Sequence, residues 1–273
     1  MAEVAVAEPL AVYWSGPRDG IPLLLLHAFP FDAQLWEAVD MRMPEVPVVM
    51  VDAPGFGDSP AYGLVAAAVG RSPGSSIDTY ADAVVASLLR EGIQRAVVVG
   101  HSMGGYVALS LADRYPALVA GIGLIDTKAT ADDDAAVANR IRIAEEAEEF
   151  GAQAVAPMAA ALLGRTTQET HPELVAEVRG LLAAAPPEGI AWAQRAMSRR
   201  PDRLEVLERL DVPALVLRGA EDELSSQEAA EQMAGALKDC ELEVVPEAGH
   251  LTVLENPDAV VAALHRLWER AQD

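Results

Sequence analysis

Six short stretches of this 273-residue chain read as strands, and most of them are apolar at almost every position rather than at alternate ones. They are IPLLLLH (21–27), VPVVMVD (46–52), RAVVVGH (95–101), AGIGLIDT (120–127), PALVLRG (213–219) and CELEVVPE (240–247). A strand with one wet face alternates; a strand buried on both faces does not, and that is the pattern of a parallel sheet covered by helices. Helical patterns lie between the runs, over Ile77–Glu91, Met103–Tyr115, Ser225–Leu237 and Pro257–Arg270, with Pro116 placed to stop the second. Strands alternating with helices predict an α/β layered fold with a mostly parallel central sheet flanked by helices. LAVYWSG, near the start, reads as an antiparallel edge strand.

The alternation breaks between Thr127 and Val212, where no strand pattern is visible. Helices are expected at Arg140–Phe150, Ala152–Leu163, Pro172–Ala185 and Ile190–Met197. The core is therefore expected over residues 1–127 and 213–273, with 128–212 inserted as a helical cap over the sheet edge. The run Asp132–Asp133–Asp134 reads as a solvated helix start in preference to a cation site. Pro60–Ser76 is long for a loop and partly apolar, so it is either a short helix near the site or a mobile insertion. There is no internal repeat.

Hydrophobic residues make up 51% of the chain, which favours a globular protein over disorder. Acidic residues outnumber basic ones 42 to 20, a formal net charge of -22, which repels nucleic acid and anionic membrane surfaces. Neither is expected as a partner. Only Lys128 and Lys238 are lysines, a bias better explained by GC-rich coding than by salt adaptation. A single cysteine, Cys240, rules out an internal disulfide and reads as a small buried apolar residue rather than a reactive thiol. The N-terminal MAEVAVAEPL lacks a basic region, which argues against a signal peptide. No apolar run approaches the ~20 residues that span a bilayer. The expected location is cytoplasmic.

One junction carries chemistry. VVVGHSMGGYVAL (97–109) places G-x-S-x-G between a buried strand and a helix, the context of a nucleophile elbow. A sharp turn there holds Ser102 in a strained conformation and projects its hydroxyl, and side chains at positions 100 and 104 would collide across it. The helix that follows aims its free N–H groups at the same spot.

A serine hydroxyl needs a base, and the base needs an orienting acid. Of five histidines, His101 adjoins the serine but leaves the elbow in another direction, His171 lies in the cap, His265 is on the surface and His27 is structural. His250 sits on a loop after the last strand, and such loops converge at the C-terminal sheet edge where open α/β sheets bind ligands. It is the expected base. Asp222, after PALVLRG, is the preferred acid, and Asp126, after GLIDT, is the alternative. Asp52 precedes the serine and reads as a turn-fixing group with Pro54, Gly55 and Gly57.

With these residues in view, the chain resembles the α/β-hydrolase-fold serine hydrolases with a helical cap, a group of esterases, lactonases and carbon–carbon bond hydrolases. The likeness covers nearly the whole chain. HAFP resembles the family's HGFP oxyanion loop, DAPGFGDS its D-x-P-G-x-G-x-S loop and GHSMGG its elbow. RGAEDEL resembles its G-x-x-D acid turn, and GHLTVLENP its histidine loop. The match implies Ser102, Asp222 and His250 as a triad, with the N–H groups of Phe29 and Met103 as the oxyanion hole. One departure touches that hole: Ala28 stands where the family has Gly after His27.

The implied reaction is hydrolysis of a small or medium carboxylic ester or lactone through an acyl-serine. No metal or other cofactor is required: no cluster has zinc-ligand spacing and no Walker or dinucleotide glycine pattern occurs. Ser102 excludes relatives whose alkyl-ester intermediate needs an attacking Asp. A cofactor-free perhydrolase and a non-catalytic ligand-binding protein of the same fold are the alternatives. Trp192, Met197 and Leu251 are candidate pocket residues, packing within the cap being an equal reading for Trp192 and Met197. The cap shows no basic cluster, so a strongly anionic substrate is not expected, although Arg195, Arg199 or Arg200 could reach one carboxylate.

Overall fold

Seven strands form one sheet in a computed structural model, which describes residues 9–272. They are β1 (Val12–Ser15), β2 (Leu23–Leu26), β3 (Val48–Val51), β4 (Ala96–His101), β5 (Val119–Ile125), β6 (Ala214–Gly219) and β7 (Cys240–Val245). Their order across the sheet is β1-β3-β2-β4-β5-β6-β7. β1 pairs antiparallel with β3 and every other pair is parallel. Five of the six runs are thus interior strands and LAVYWSG is the antiparallel edge, while CELEVVPE forms β7 at the opposite, parallel edge, where Glu241 and Glu243 alternate with apolar residues. All four leucines of β2 are fully buried, each worth roughly 1.5–3 kcal/mol relative to exposure. The signal-peptide reading of MAEVAVAEPL falls mostly outside the described residues.

Seven helices of ten or more residues occur among the described residues: α1 (Ile77–Arg90), α2 (Met103–Arg114), α3 (Asp134–Phe150), α4 (Pro172–Ala184), α5 (Pro187–Ser198), α6 (Gln227–Ala236) and α7 (Pro257–Arg270). α2 packs on β2, β4 and β5 and against α1, while α7 packs on β5 and β6. Chain order reverses direction across the sheet between β2 and β4. The loops leaving these two strands therefore diverge at their C-terminal ends and open a crevice there.

The inserted helical region lies between β5 and β6, and α3 packs along α5 within it. Two details differ from expectation. Residues 152–163 are not one helix: Gly151–Met158 is a 3-10 helix and only Ala159–Leu162 is α-helical, with Pro157 interrupting the α pattern. α3 begins at Asp134 rather than Arg140, because the Asp133 side chain accepts from Ala136 N and caps it.

Residues 60–76 contain a short helix, Tyr62–Ala68. Tyr62 stacks on Trp192 of α5, ring centroids 5.0 Å apart, and donates its hydroxyl to Gly74 O. Trp192 also donates its indole N–H to Pro54 O and meets Phe56 and Tyr80 edge-on. This aromatic cluster seats α5 on the core. Among the described residues, no helix is long and apolar enough to cross a membrane. Cys240 is half-buried rather than fully buried, and burial pushes its thiol pKa up to about 11.

Candidate active site

Ser102 is held by the turn from β4 into α2 with φ 53 and ψ −110, a region costly for a residue with a Cβ. Its N–H donates to Ile125 O on β5, and its carbonyl accepts from Gly105 N and the Thr127 hydroxyl. A Cβ on Gly100 would strike the backbone of Gly104, so the turn does require glycine there. A Cβ on Gly104 would instead strike Leu26 O of the neighbouring strand, so that glycine answers to α2 lying close on β2. Met103 opens α2, and its N–H lacks an acceptor one turn back in the helix.

His250 arrives on the loop after β7. Its Nε2 lies 2.8 Å from Ser102 Oγ, and its Nδ1 lies 3.0 and 3.1 Å from the two Asp222 carboxylate oxygens. Asp222 follows β6, and its Oδ1 also accepts from Leu224 N and Ser225 N. Burial pushes the Asp222 carboxyl up, but the His250 ring and those two N–H groups outweigh it and the net shift is down. Burial opposes charging of His250, and Asp222 outweighs that too, so its pKa is raised. The pair is built to hold an imidazolium against a carboxylate.

Asp126 is also brought close but makes different bonds. Its Oδ1 accepts from Gly219 N at 2.8 Å, and its Oδ2 lies 2.5 Å from Thr252 Oγ1. Burial first and the Asp222 charge second raise its pKa to about 8. The Thr252 hydroxyl faces both Asp126 and Gly249 O, yet it has one hydrogen. A protonated Asp126 resolves this by donating to Thr252, which donates to Gly249 O.

His101 is not idle. It is fully buried, burial and the nearby His250 charge lower its pKa to about 3, and its Nε2–H donates to His250 O at 2.7 Å. The ring under the serine thus positions the loop of the candidate base, a link between residues 149 apart that the sequence order hides. His27 is structural: its Nε2 accepts from Ala53 N and its Nδ1–H donates to Ala28 O. Asp52 fixes its turn by accepting from Ala33 N, Asp58 N and the Tyr13 hydroxyl.

A second set of bonds ties this machinery to the inserted helices. Glu255 accepts from Gly249 N and Leu251 N with one oxygen and from Gly164 N with the other. Leu251 N also donates to Leu162 O, and Glu221 accepts from the N–H and hydroxyl of Thr166. Gly249 has no room for a side chain because Gly164 N lies against it.

Ser102 and His250 open into a cavity of about 310 Å³ roofed by the inserted helices. Phe29, Met158, Leu162 and Met197 are among its apolar lining residues. Trp192 and Leu251 are not in its walls. Trp192 serves the aromatic cluster above, and Leu251 is fully buried beside Leu162.

The expectation of a cap without a basic cluster is also corrected. Lys128 and Arg140 line the cavity and, with Arg200, converge on Asp132. Asp133 and Asp134 are an exposed helix start as expected, but Asp132 is not solvated, its side chain being 2% exposed. Burial alone would raise its pKa, but Arg200 and Arg140 hold it well below the usual carboxylate range. Arg195 pairs with Glu148 on the exterior. Among the described residues, no cluster of three or more His, Cys, Asp or Glu is placed to hold a metal ion.

A mostly parallel sheet with helices on both faces, an elbow serine after β4 and an inserted helical roof define an α/β-hydrolase architecture. The chain belongs to the alpha/beta hydrolase family, whose profile matches residues 23–263. Among solved structures it is similar to a thermophilic esterase from Thermogutta terrifontis, with 34% identity, TM-score 0.89 and coverage of 97% of this chain and 94% of that one. Among curated proteins it is 30% identical over 263 residues to 2-succinyl-6-hydroxy-2,4-cyclohexadiene-1-carboxylate synthase of Serratia proteamaculans, covering 93% of this chain and 95% of that protein. It is 28% identical to the pimeloyl-(acyl-carrier protein) methyl ester esterase of Neisseria meningitidis, covering 89% and 90%.

Proposed function

We propose that this chain is a serine hydrolase that cleaves carboxylic esters or lactones through an acyl-serine intermediate, with residues 128–212 as the cap over the site. The observation that carries the reading is the continuous bonded line from Ser102 Oγ through His250 to Asp222. His250 Nε2 takes the hydroxyl proton as Ser102 attacks the carbonyl carbon. Asp222 stays ionised, keeps the proton on Nδ1 and balances the imidazolium. The N–H groups of Phe29 and Met103 are assigned to the oxyanion, each worth about 2.7–4 kcal/mol of barrier. His250 then protonates the leaving oxygen, and in the second half it deprotonates the water that cleaves the acyl-serine. The esterase likeness at 34% identity supports the same reaction class.

The test is turnover of p-nitrophenyl acetate and butyrate, with phosphonate labelling. Ser102→Ala should lower kcat by roughly 10⁵–10⁶-fold and abolish labelling. Equal turnover by the two proteins would overturn the reading.

A further inference from the structure

The cavity beside Ser102 has a charged wall that ester hydrolysis does not require. Arg200 grips Asp132 as a fork, Nη1 to Oδ2 at 2.6 Å and Nη2 to Oδ1 at 2.8 Å. Both side chains are 2% exposed. Arg200 also donates to Met197 O and Thr130 O and lies 4.0 Å over the Tyr106 ring. That pair is a matched bidentate fork, with only the buried Arg200 Nε left without a hydrogen-bond partner among the described residues.

Two more cations lean on the same carboxylate, Lys128 Nζ at 3.0 Å and Arg140 Nε at 2.5 Å. Their side chains are 28% and 20% exposed, and both line the cavity. The remaining partners of Arg140 are neutral, Gln194 Oε1 at 3.2 Å and Met197 Sδ at 3.3 Å, both on Nη1. Its Nη2 has no hydrogen-bond partner among the described residues. Asp126, the other carboxyl in the wall, is protonated near neutral pH. Asp202 adds only a weaker attraction on Arg200. In a chain with a formal net charge of -22, the wall facing the serine thus carries surplus positive charge. Cations withdrawn from water without matching counter-charge are costly, and an anionic ligand removes that cost.

We infer that the ester this site selects carries a free carboxylate, as in a monoester of a short dicarboxylic acid, and that Lys128 and Arg140 bind it while Ser102 attacks the ester carbonyl. This rests on the hydrolase reading. Arg200 and Asp132 are positioning residues that hold the two cations at the wall.

The experiment compares monomethyl glutarate with its neutral isostere, the half-amide methyl ester, by pH-stat, and measures glutarate binding by calorimetry. Wild type should prefer the anion by roughly ten- to hundred-fold in kcat/KM, as expected for charge-assisted hydrogen bonds. Lys128→Met and Arg140→Gln should each lower the anion-to-neutral ratio about ten-fold and weaken glutarate binding similarly. The ratio is independent of how much variant folds, and Lys128, the more exposed of the two, keeps the test alive if Arg140→Gln does not fold. Ser102-dependent cleavage with a ratio near one and no glutarate binding would overturn the inference and leave the hydrolase reading intact. Lys128-dependent glutarate binding without Ser102-dependent turnover of any ester would overturn the hydrolase reading while supporting the carboxylate site.

Discussion

Asparagine at position 222 and, separately, at position 126 distinguishes two carboxyls that both follow strand ends near His250. In Asp222→Asn, Leu224 N and Ser225 N, which now donate to Oδ1, pin the amide oxygen at that position. The amide nitrogen then takes the Oδ2 position, 3.0 Å from His250 Nδ1. Two donors cannot face each other, so Nδ1 loses its hydrogen and the proton moves to Nε2. That nitrogen can no longer accept the Ser102 proton at 2.8 Å. The expected loss is about 10⁴-fold in kcat, or about 5.5 kcal/mol of barrier. Asp126→Asn differs because the native side chain is protonated at neutral pH. An amide oxygen still accepts from Gly219 N, and an amide N–H still donates to Thr252 Oγ1, so kcat should fall less than about three-fold. The assay is kcat and KM on p-nitrophenyl butyrate, with circular dichroism to show that both variants fold. A larger loss for Asp126→Asn than for Asp222→Asn would refute this assignment and move the acid to β5.

The acid limb of kcat/KM should lie above the ordinary histidine value, because Asp222 raises the His250 pKa and the active base is the neutral form; in Asp222→Asn it should move down, and a fixed limb would contradict the pairing. Asp126 holds its proton to about pH 8 when folded but loses it near pH 4 when unfolded. Unfolding therefore releases a proton in that window, so stability falls as pH rises from about 4 to 8. The urea midpoint of Asp126→Asn should vary less with pH than that of wild type; equal slopes would refute a neutral Asp126. Trp192→Ala should cost about 3–5 kcal/mol by urea denaturation; an unchanged midpoint with a raised KM would return Trp192 to the substrate wall.

The sheet was legible because its interior strands are buried on both faces, which leaves almost no polar residue in LLLL or AVVV to confuse the reading. Strand-end logic nominated Ser102, Asp222 and His250, and these three do meet. Other features depended on partners remote in sequence. Nothing local tells Asp132 that Arg200 will pair with it from 68 residues away, so it reads like its exposed neighbours Asp133 and Asp134. Whether Trp192 lines the cavity or packs stays open in the sequence because its acceptor, Pro54 O, and its stacking partner, Tyr62, belong to other segments. Residues 152–163 carried an apolar helical pattern, but the 3-10 geometry around Pro157 overrode it.

Glu255 and Glu221 make the roof and the imidazole loop a single mechanical unit. Swinging the 159–170 segment outward would haul on the N–H groups of Gly249 and Leu251, which flank His250, and break the line to Ser102. The molecule therefore cannot admit a guest by lifting that side without disarming itself. Lys128 and Arg140 carry no such tie to the imidazole loop: they line the same cavity with side chains 28% and 20% exposed, and they lean on Asp132 instead.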